Sequence, residues 1–325
     1  MAEAASAVES SGSLGCLPRP IALAACAALA ILYVALLYVP SLLPGLPRRT
    51  PRDYMLHRFV SAAVASVIAP ILAFTILPVR SSQKSGIHLF LKTFGLRTDY
   101  VLQASIYSLL LTATLYLGPL TMEISDILHV WKEETGIASI GGDTLASTCS
   151  RIFAEAKRLT LDVFAWRNYV VAPISEELVF RACMTPILLC GSFSLTLVVF
   201  ISPTFFSSAH IHHFVELVYL RKYQKYRAAL SVGIQLCYTT VFGWYATFLY
   251  LRTGHLISAI IAHIFCNFMG LPDLSRALRE KVFIGPYIIG LISFFSLLGP
   301  ISDPRLYGSH LNHCGCRFEE CWPNC

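Results

Sequence analysis

Charge is what this 325-residue sequence has least of: Asp, Glu, Lys and Arg together make up 14%, against roughly 25% in an ordinary soluble domain. With 55% hydrophobic residues and a mean hydropathy of +0.62, the deficit excludes a water-exposed globular class. Disulfide architecture is absent too. Eleven cysteines contain no Cys-x-x-Cys pair and no regular spacing, and Cys26, Cys183, Cys190, Cys237 and Cys266 sit in apolar runs, where a thiol acts as a small hydrophobe. There is no solenoid-length repeat and no inverted pair of Gly/Pro-broken segments of the transporter kind. The net charge of +6 is scattered over short loops. That suits positively charged loops beside anionic headgroups rather than a nucleic-acid partner, and none is expected.

What is present is a series of apolar runs, each near the ~20 residues that cross a bilayer. They predict an all-α, polytopic transmembrane helical bundle of about eight spans, with the lipid bilayer as its surroundings. Residues 1–18 are small and polar, carry Glu3 and Glu9 and lack a basic leader, so they read as an N-terminal tail without a cleaved signal. The spans are expected at Ile21–Val39, Phe59–Val79, Val101–Leu120, 168–190, Phe193–Ala209, Ala228–Leu251, Leu256–Gly270 and Val282–Leu298. Arg48, Arg49, Arg52 and Arg58 are read as a basic loop, and so are Arg80, Lys84, Lys92 and Arg97. Two successive basic loops on opposite sides leave the orientation open. Residues 121–167 read as the most water-compatible internal segment, turning amphipathic from Thr144 to Trp166 as an interfacial helix would. The domain layout is thus a tail (1–18), a membrane domain (19–309) and a Cys-rich end (310–325).

Three polar sets interrupt the apolar runs of the C-terminal half. The first is Glu176, Glu177 and Arg181: three charges in six residues, each costing at least ~2.5 kcal/mol in hydrocarbon. Glu177 and Arg181 are i and i+4 and share a helical face, whereas Glu176 points about 100° away and has no local partner. The second set is Phe206 through His213, containing His210, His212 and His213. The third is His263 and Asn267, again i and i+4. Unused, these groups would cost several kcal/mol apiece. Used, a carboxylate and an imidazole can activate a water, and a His/Asn pair can donate to an oxyanion. Other chemistries lack their residues. There is no His-Glu-x-x-His zinc helix and no Gly-x-Ser-x-Gly elbow, and Gly141-Gly142-Asp143 is too short a scrap for an aspartyl protease. No cofactor or metal is expected. Two alternatives stay open: a metal held by Glu176, His210 and His263, or a non-catalytic protein binding an ion or proton.

In this order, Glu-Glu-x-x-x-Arg (Glu176 to Arg181), Phe-x-x-x-His (Phe206 to His210) and His-x-x-x-Asn (His263 to Asn267) resemble the signature of the CAAX protease and bacteriocin-processing membrane family. The stretches Arg-Asn-x-x-x-Ala-Pro-x-x-Glu-Glu-Leu-Val-Phe-Arg-Ala at 167–182, Arg-Thr-Gly-His-Leu-Ile at 252–257 and Asp-Pro-x-Leu-Tyr-Gly-Ser at 303–309 resemble its eukaryotic branch. The resemblance implies an endoplasmic-reticulum membrane protease with a glutamate-dependent mechanism. Its substrates would be farnesylated or geranylgeranylated CAAX proteins, Ras-type small GTPases among them, which lose their last three residues. It implies Glu176 and His210 as water activators, His263 and Asn267 as oxyanion donors, and Glu177, Arg181 and Phe206 as support. His213, i+3 from His210, is the substitute imidazole; His255 reads as interfacial and Cys266 as packing.

Overall fold

A computed structural model describes residues 17–42, 50–77, 86–135, 150, 157–158, 160–308, and among them all regular structure is helical. The main elements are α1 (Arg19–Leu42), α2 (Pro51–Ile76), α3 (Gly86–Thr93), α4 (Val101–Leu115), α5 (Leu117–Thr135), α6 (163–190), α7 (Leu195–Ala209), α8 (His212–Val215), α9 (Lys225–Thr253), α10 (Leu256–Met269), α11 (Leu274–Arg279) and α12 (Ile284–Ile301). Each of the eight expected spans has a helix. Among the described residues, four helical stretches are long and apolar enough to cross a membrane, or five if one bent pair counts as a span. The protein is a helical membrane bundle, with Leu256–Met269 a further, shorter apolar helix.

Three boundaries differ from the sequence reading, each for a local reason. The span expected at Val101–Leu120 breaks at Tyr116, where α4 and α5 meet at 80°. Pro119 has no N–H to give Leu115, and its ring crowds that carbonyl, so a straight helix cannot run through. Beyond the break α5 stays helical to Thr135, so residues 121–135 are not a loop; Asp126 on it holds Arg276 of α11 through two 2.6 Å bonds. The second span starts earlier than Phe59. Thr50 caps α2 by accepting from the Asp53 amide at 3.1 Å, with Pro51 in the first turn. Arg52 and Arg58 are therefore helical, and Arg58 is buried. Residues 43–49 and 78–85, most of the amphipathic stretch before Trp166, and the 310–325 end lie outside the described residues.

One core joins α1, α2, α6 and α7, with Tyr250, Leu251 and Leu256; a smaller one gathers Leu111, Leu249, Ala262 and Phe294. On α6 every residue from Val179 to Leu188 is buried. By contrast α12 turns Ile288, Ile289, Ile292 and Phe295 outward, as a lipid-facing helix does. Gly243 lets α9 approach α7: a Cβ there would meet the Pro203 Cβ at 2.6 Å and Arg181 Nη2 at 3.3 Å. The site lies where α6, α7, α9 and α10 converge.

Two of the family-like stretches are structural. Gly254, at φ +74°, closes α9 in the left-handed conformation, and the next residue, His255, is fully buried rather than interfacial. Asp303 caps the final short turn by accepting from the Arg305 amide. That turn sinks Tyr307, whose hydroxyl burial pushes its pKa up to about 12.

Candidate active site

The site begins with a proline. Pro173 sits inside α6, and the turn before it, Arg167–Val171, is a wide π turn in which the Ala172 amide bonds to the Arg167 carbonyl, five residues back. The next bond in that register would run from residue 173 to the Asn168 carbonyl, but proline has no N–H to give. Asn168 O is left over, and Asn267 Nδ2 donates to it at 2.9 Å. The π turn, of a kind frequent at functional sites, thereby ties α10 to α6. It also stacks Arg167, Ala172 and Glu176 along one face, since five residues make a π turn and four an α turn.

Behind the site is a sealed ion pair. Glu177 and Arg181 are both fully buried, with Arg181 Nη1 donating to Glu177 Oε1 at 2.8 Å. The guanidinium lies over the Phe206 ring at 4.2 Å and the Phe242 ring at 5.5 Å, so aromatic faces take up charge that the single carboxylate contact leaves. The same Glu177 Oε1 receives His263 Nδ1 at 2.7 Å. A carboxylate accepts, so Nδ1 carries the proton and Nε2 faces forward, 3.9 Å from Glu176 Oε2.

The front is more open. Glu176 keeps 18% of its side chain exposed. His210, at the turn ending α7, donates Nδ1 to the Phe206 carbonyl at 2.9 Å, which leaves its Nε2 as an acceptor; its ring is 4.9 Å from that of Phe206. Two cavities meet at Arg167, Ala172, Glu176, Phe206, His210 and His213. The larger, about 760 Å³, also touches His263 and Asn267 and runs along apolar side chains including Ile234, Val241 and Tyr245. The smaller is a cleft of about 60 Å³ between α1, α2 and α6, reaching Arg58 and Arg167.

All seven residues singled out in the sequence lie at this junction. Glu177 and Arg181 form the expected i, i+4 pair. Glu176 has no partner on its own helix, and its near neighbour is His263. Asn267 is exposed at the large cavity. His213 lines both cavities but faces Glu216, 3.4 Å from Oε2. Cys266, read as packing, lines the large cavity. Asn168, Phe242, Arg58 and Arg167 were not anticipated as parts of the site; the proline five residues after Asn168 was the available signal for the first. Among the described residues, the side chains whose ligand atoms lie close enough to share a metal ion are His212, His213 and Glu216, all within 4.8 Å. They are not the set Glu176, His210 and His263.

A buried acid–imidazole cluster opening to an apolar cavity inside a helical membrane bundle defines a class, the polytopic membrane hydrolases. Comparison with known proteins narrows it. Residues 159–269 match the family model described as "Type II CAAX prenyl endopeptidase Rce1-like". The chain is 40% identical over 306 residues to CAAX prenyl protease 2 of Arabidopsis thaliana, covering 93% of this chain and 96% of that one. It is 35% identical over 297 residues to CAAX prenyl protease 2 of Homo sapiens, covering 87% and 82%. No solved structure gives a significant match. The chain belongs to the type II CAAX prenyl endopeptidase family and is a membrane peptidase.

Proposed function

We propose that this protein removes the C-terminal aaX tripeptide from farnesylated or geranylgeranylated CAAX proteins, Ras-type small GTPases among them, at the endoplasmic-reticulum membrane. The names of its relatives support the substrate class, and the apolar wall of the large cavity suits an isoprenoid chain. The observation that carries the chemistry is the pair of imidazoles with both Nδ1 positions tied to other groups, and the partly open Glu176 that stands 3.9 Å from His263 Nε2 and lines both cavities with His210.

The partners of the two rings differ, and so do their roles. His210 is backed by a neutral carbonyl, so it serves as a neutral acceptor at Nε2. With Glu176 it takes a proton from water as the oxygen attacks the scissile carbonyl. His263 is held at Nδ1 by the Glu177 carboxylate, which fixes the ring with Nε2 toward the reaction centre, where an Nε2–H donates to the developing oxyanion. Asn267 has two amide hydrogens, spends one on Asn168 O, and has the other for the same oxyanion. When the tetrahedral adduct collapses, the C–N bond breaks and the proton held by Glu176 and His210 goes to the leaving amine. Water is thus divided between a new carboxylate on the prenylcysteine and the amine of the tripeptide. Glu177, Arg181 and Phe206 support.

The test is release of the tripeptide from a farnesylated CAAX peptide by the purified chain in defined detergent, followed by mass spectrometry. Glu176→Ala should cut release by ~10²–10⁴ while the protein stays monodisperse. Undiminished release would sink the reading.

A further inference from the structure

The small cleft carries two arginines that the mechanism above does not use, one of which, Arg167, stands at the junction and lines the large cavity too. Arg58 comes from α2 and Arg167 from α6. Arg58 is only 9% exposed; its guanidinium lies 5.7 Å from the Tyr54 ring and acts at longer range on Tyr38, Arg167 and Glu216. Neither guanidinium has a carboxylate within ion-pair reach among the described residues. Two such cations line one narrow cleft and repel each other, and the carboxylates of Glu176 and Glu216 act on them only from beyond ion-pair reach, so a bound anion is favoured there, because desolvated positive charge is costly until it is paired. Guanidinium groups match a carboxylate's geometry, two N–H groups to two oxygens.

The spacing says which carboxylate. Arg167 and Glu176 lie two turns apart on one face of α6, the π turn making up the extra residue. Two turns rise about 10–11 Å. Three extended residues span at most about 10–11 Å, which is the reach from a carbonyl at Glu176 to the end of a three-residue tail. The cleft, about 60 Å³ against 760 Å³ for its neighbour, has room for a terminal carboxylate and little more. We propose that Arg167, helped by Arg58, binds the free C-terminal carboxylate of the substrate and sets the cut three residues from the chain end. The prenyl group then lies in the large cavity on the other side of Glu176. This assignment rests on Glu176 being the reaction centre, as proposed above.

The test compares two farnesylated CAAX peptides, one with a free C-terminal acid and one with a C-terminal carboxamide, on full-length protein in detergent. Wild type should favour the acid by about 10- to 100-fold in kcat/KM, the range expected for hydrogen bonds to a charged group. Arg167→Gln should lose that preference, mainly through a raised KM for the acid, read as the acid-to-amide ratio within the variant, with monodisperse elution and an unchanged melting temperature reporting that it is folded. Arg58→Gln should lose part of it, and Arg167→Lys should recover part. If Arg167→Gln keeps the wild-type acid-to-amide ratio, or if wild type shows none, the carboxylate site is wrong even though Glu176→Ala is impaired. If Glu176→Ala cleaves undiminished, the reaction centre on which this rests is wrong instead.

Discussion

Glu176 and Glu177 are neighbours in sequence and stand in two different regions. The region behind the imidazoles, made of Glu177, Arg181, Phe206 and Phe242, is dry and closed; its carboxylate is fully buried and accepts from both Arg181 and His263. The region in front, made of Glu176, His210, Asn267 and the two arginines of the cleft, opens to two cavities. One region holds charge still and the other leaves charge free to react. The Glu177 carboxylate holds two short charge-assisted bonds at Oε1 and is fully buried, away from both cavities, whereas that of Glu176 lines both and stands 3.9 Å from an imidazole.

The largest effect should come from the front. Glu176→Ala removes the group assigned to proton transfer, a contribution of ~10²–10⁴ in rate, and leaves the buried pair untouched. Peptide-release rate should fall by that factor with the melting temperature unchanged. An equal loss of stability would mean that the two carboxylates do not divide their work in this way.

The reverse should hold behind the imidazoles. Arg181→Met strands a buried carboxylate, and breaking a buried pair costs ~3–5 kcal/mol, read as a drop in the melting temperature of the purified protein. Adding Glu177→Gln should recover part of that stability, because the stranded charge goes with it. It should not restore activity, since His263 then lacks the carboxylate that holds its Nδ1 and orients the ring. A double variant as unstable as Arg181→Met alone would contradict the sealed-pair description.

Asn267→Ala sharpens the front region further. Loss of one oxyanion donor costs ~10²–10³ in kcat, and KM should move little. The side chain is exposed, and only its single bond to Asn168 O contributes to stability, about 1 kcal/mol. A KM effect with intact kcat would make Asn267 a substrate-binding group.

How much of this could be read in advance depends on what each residue's partner is. The pairing of Glu177 with Arg181 was legible because i, i+4 geometry is local. The separate orientation of Glu176 followed from the same 100° step. The His263 contact to Glu177 was not legible: it joins residues 86 apart, and no periodicity encodes which helix lands on which. Arg58 looked like a loop residue because charge was taken as the edge of a span, whereas the Thr50 cap and Pro51 set the helix start eight residues earlier. The break at Tyr116 and the π turn at Arg167 both follow from a missing N–H, at Pro119 and Pro173. Hydropathy cannot register that loss, since proline counts as weakly polar wherever it sits.

Phe206 is where the two regions meet, and it should give the smallest effect of the four. Its ring faces Arg181 behind and His210 in front, at 4.2 and 4.9 Å, and its carbonyl accepts the His210 Nδ1 proton. Phe206→Leu takes away the ring but not the carbonyl. The lost cation–π contact is worth up to about 2 kcal/mol at a desolvated site, so the melting temperature should fall modestly. The tautomer of His210 is set by backbone and survives, so the rate should fall less than about tenfold, and its pH profile should keep its shape. If the leucine variant instead loses as much activity as Glu176→Ala, the ring itself must position His210, and front and back cannot be treated as separable.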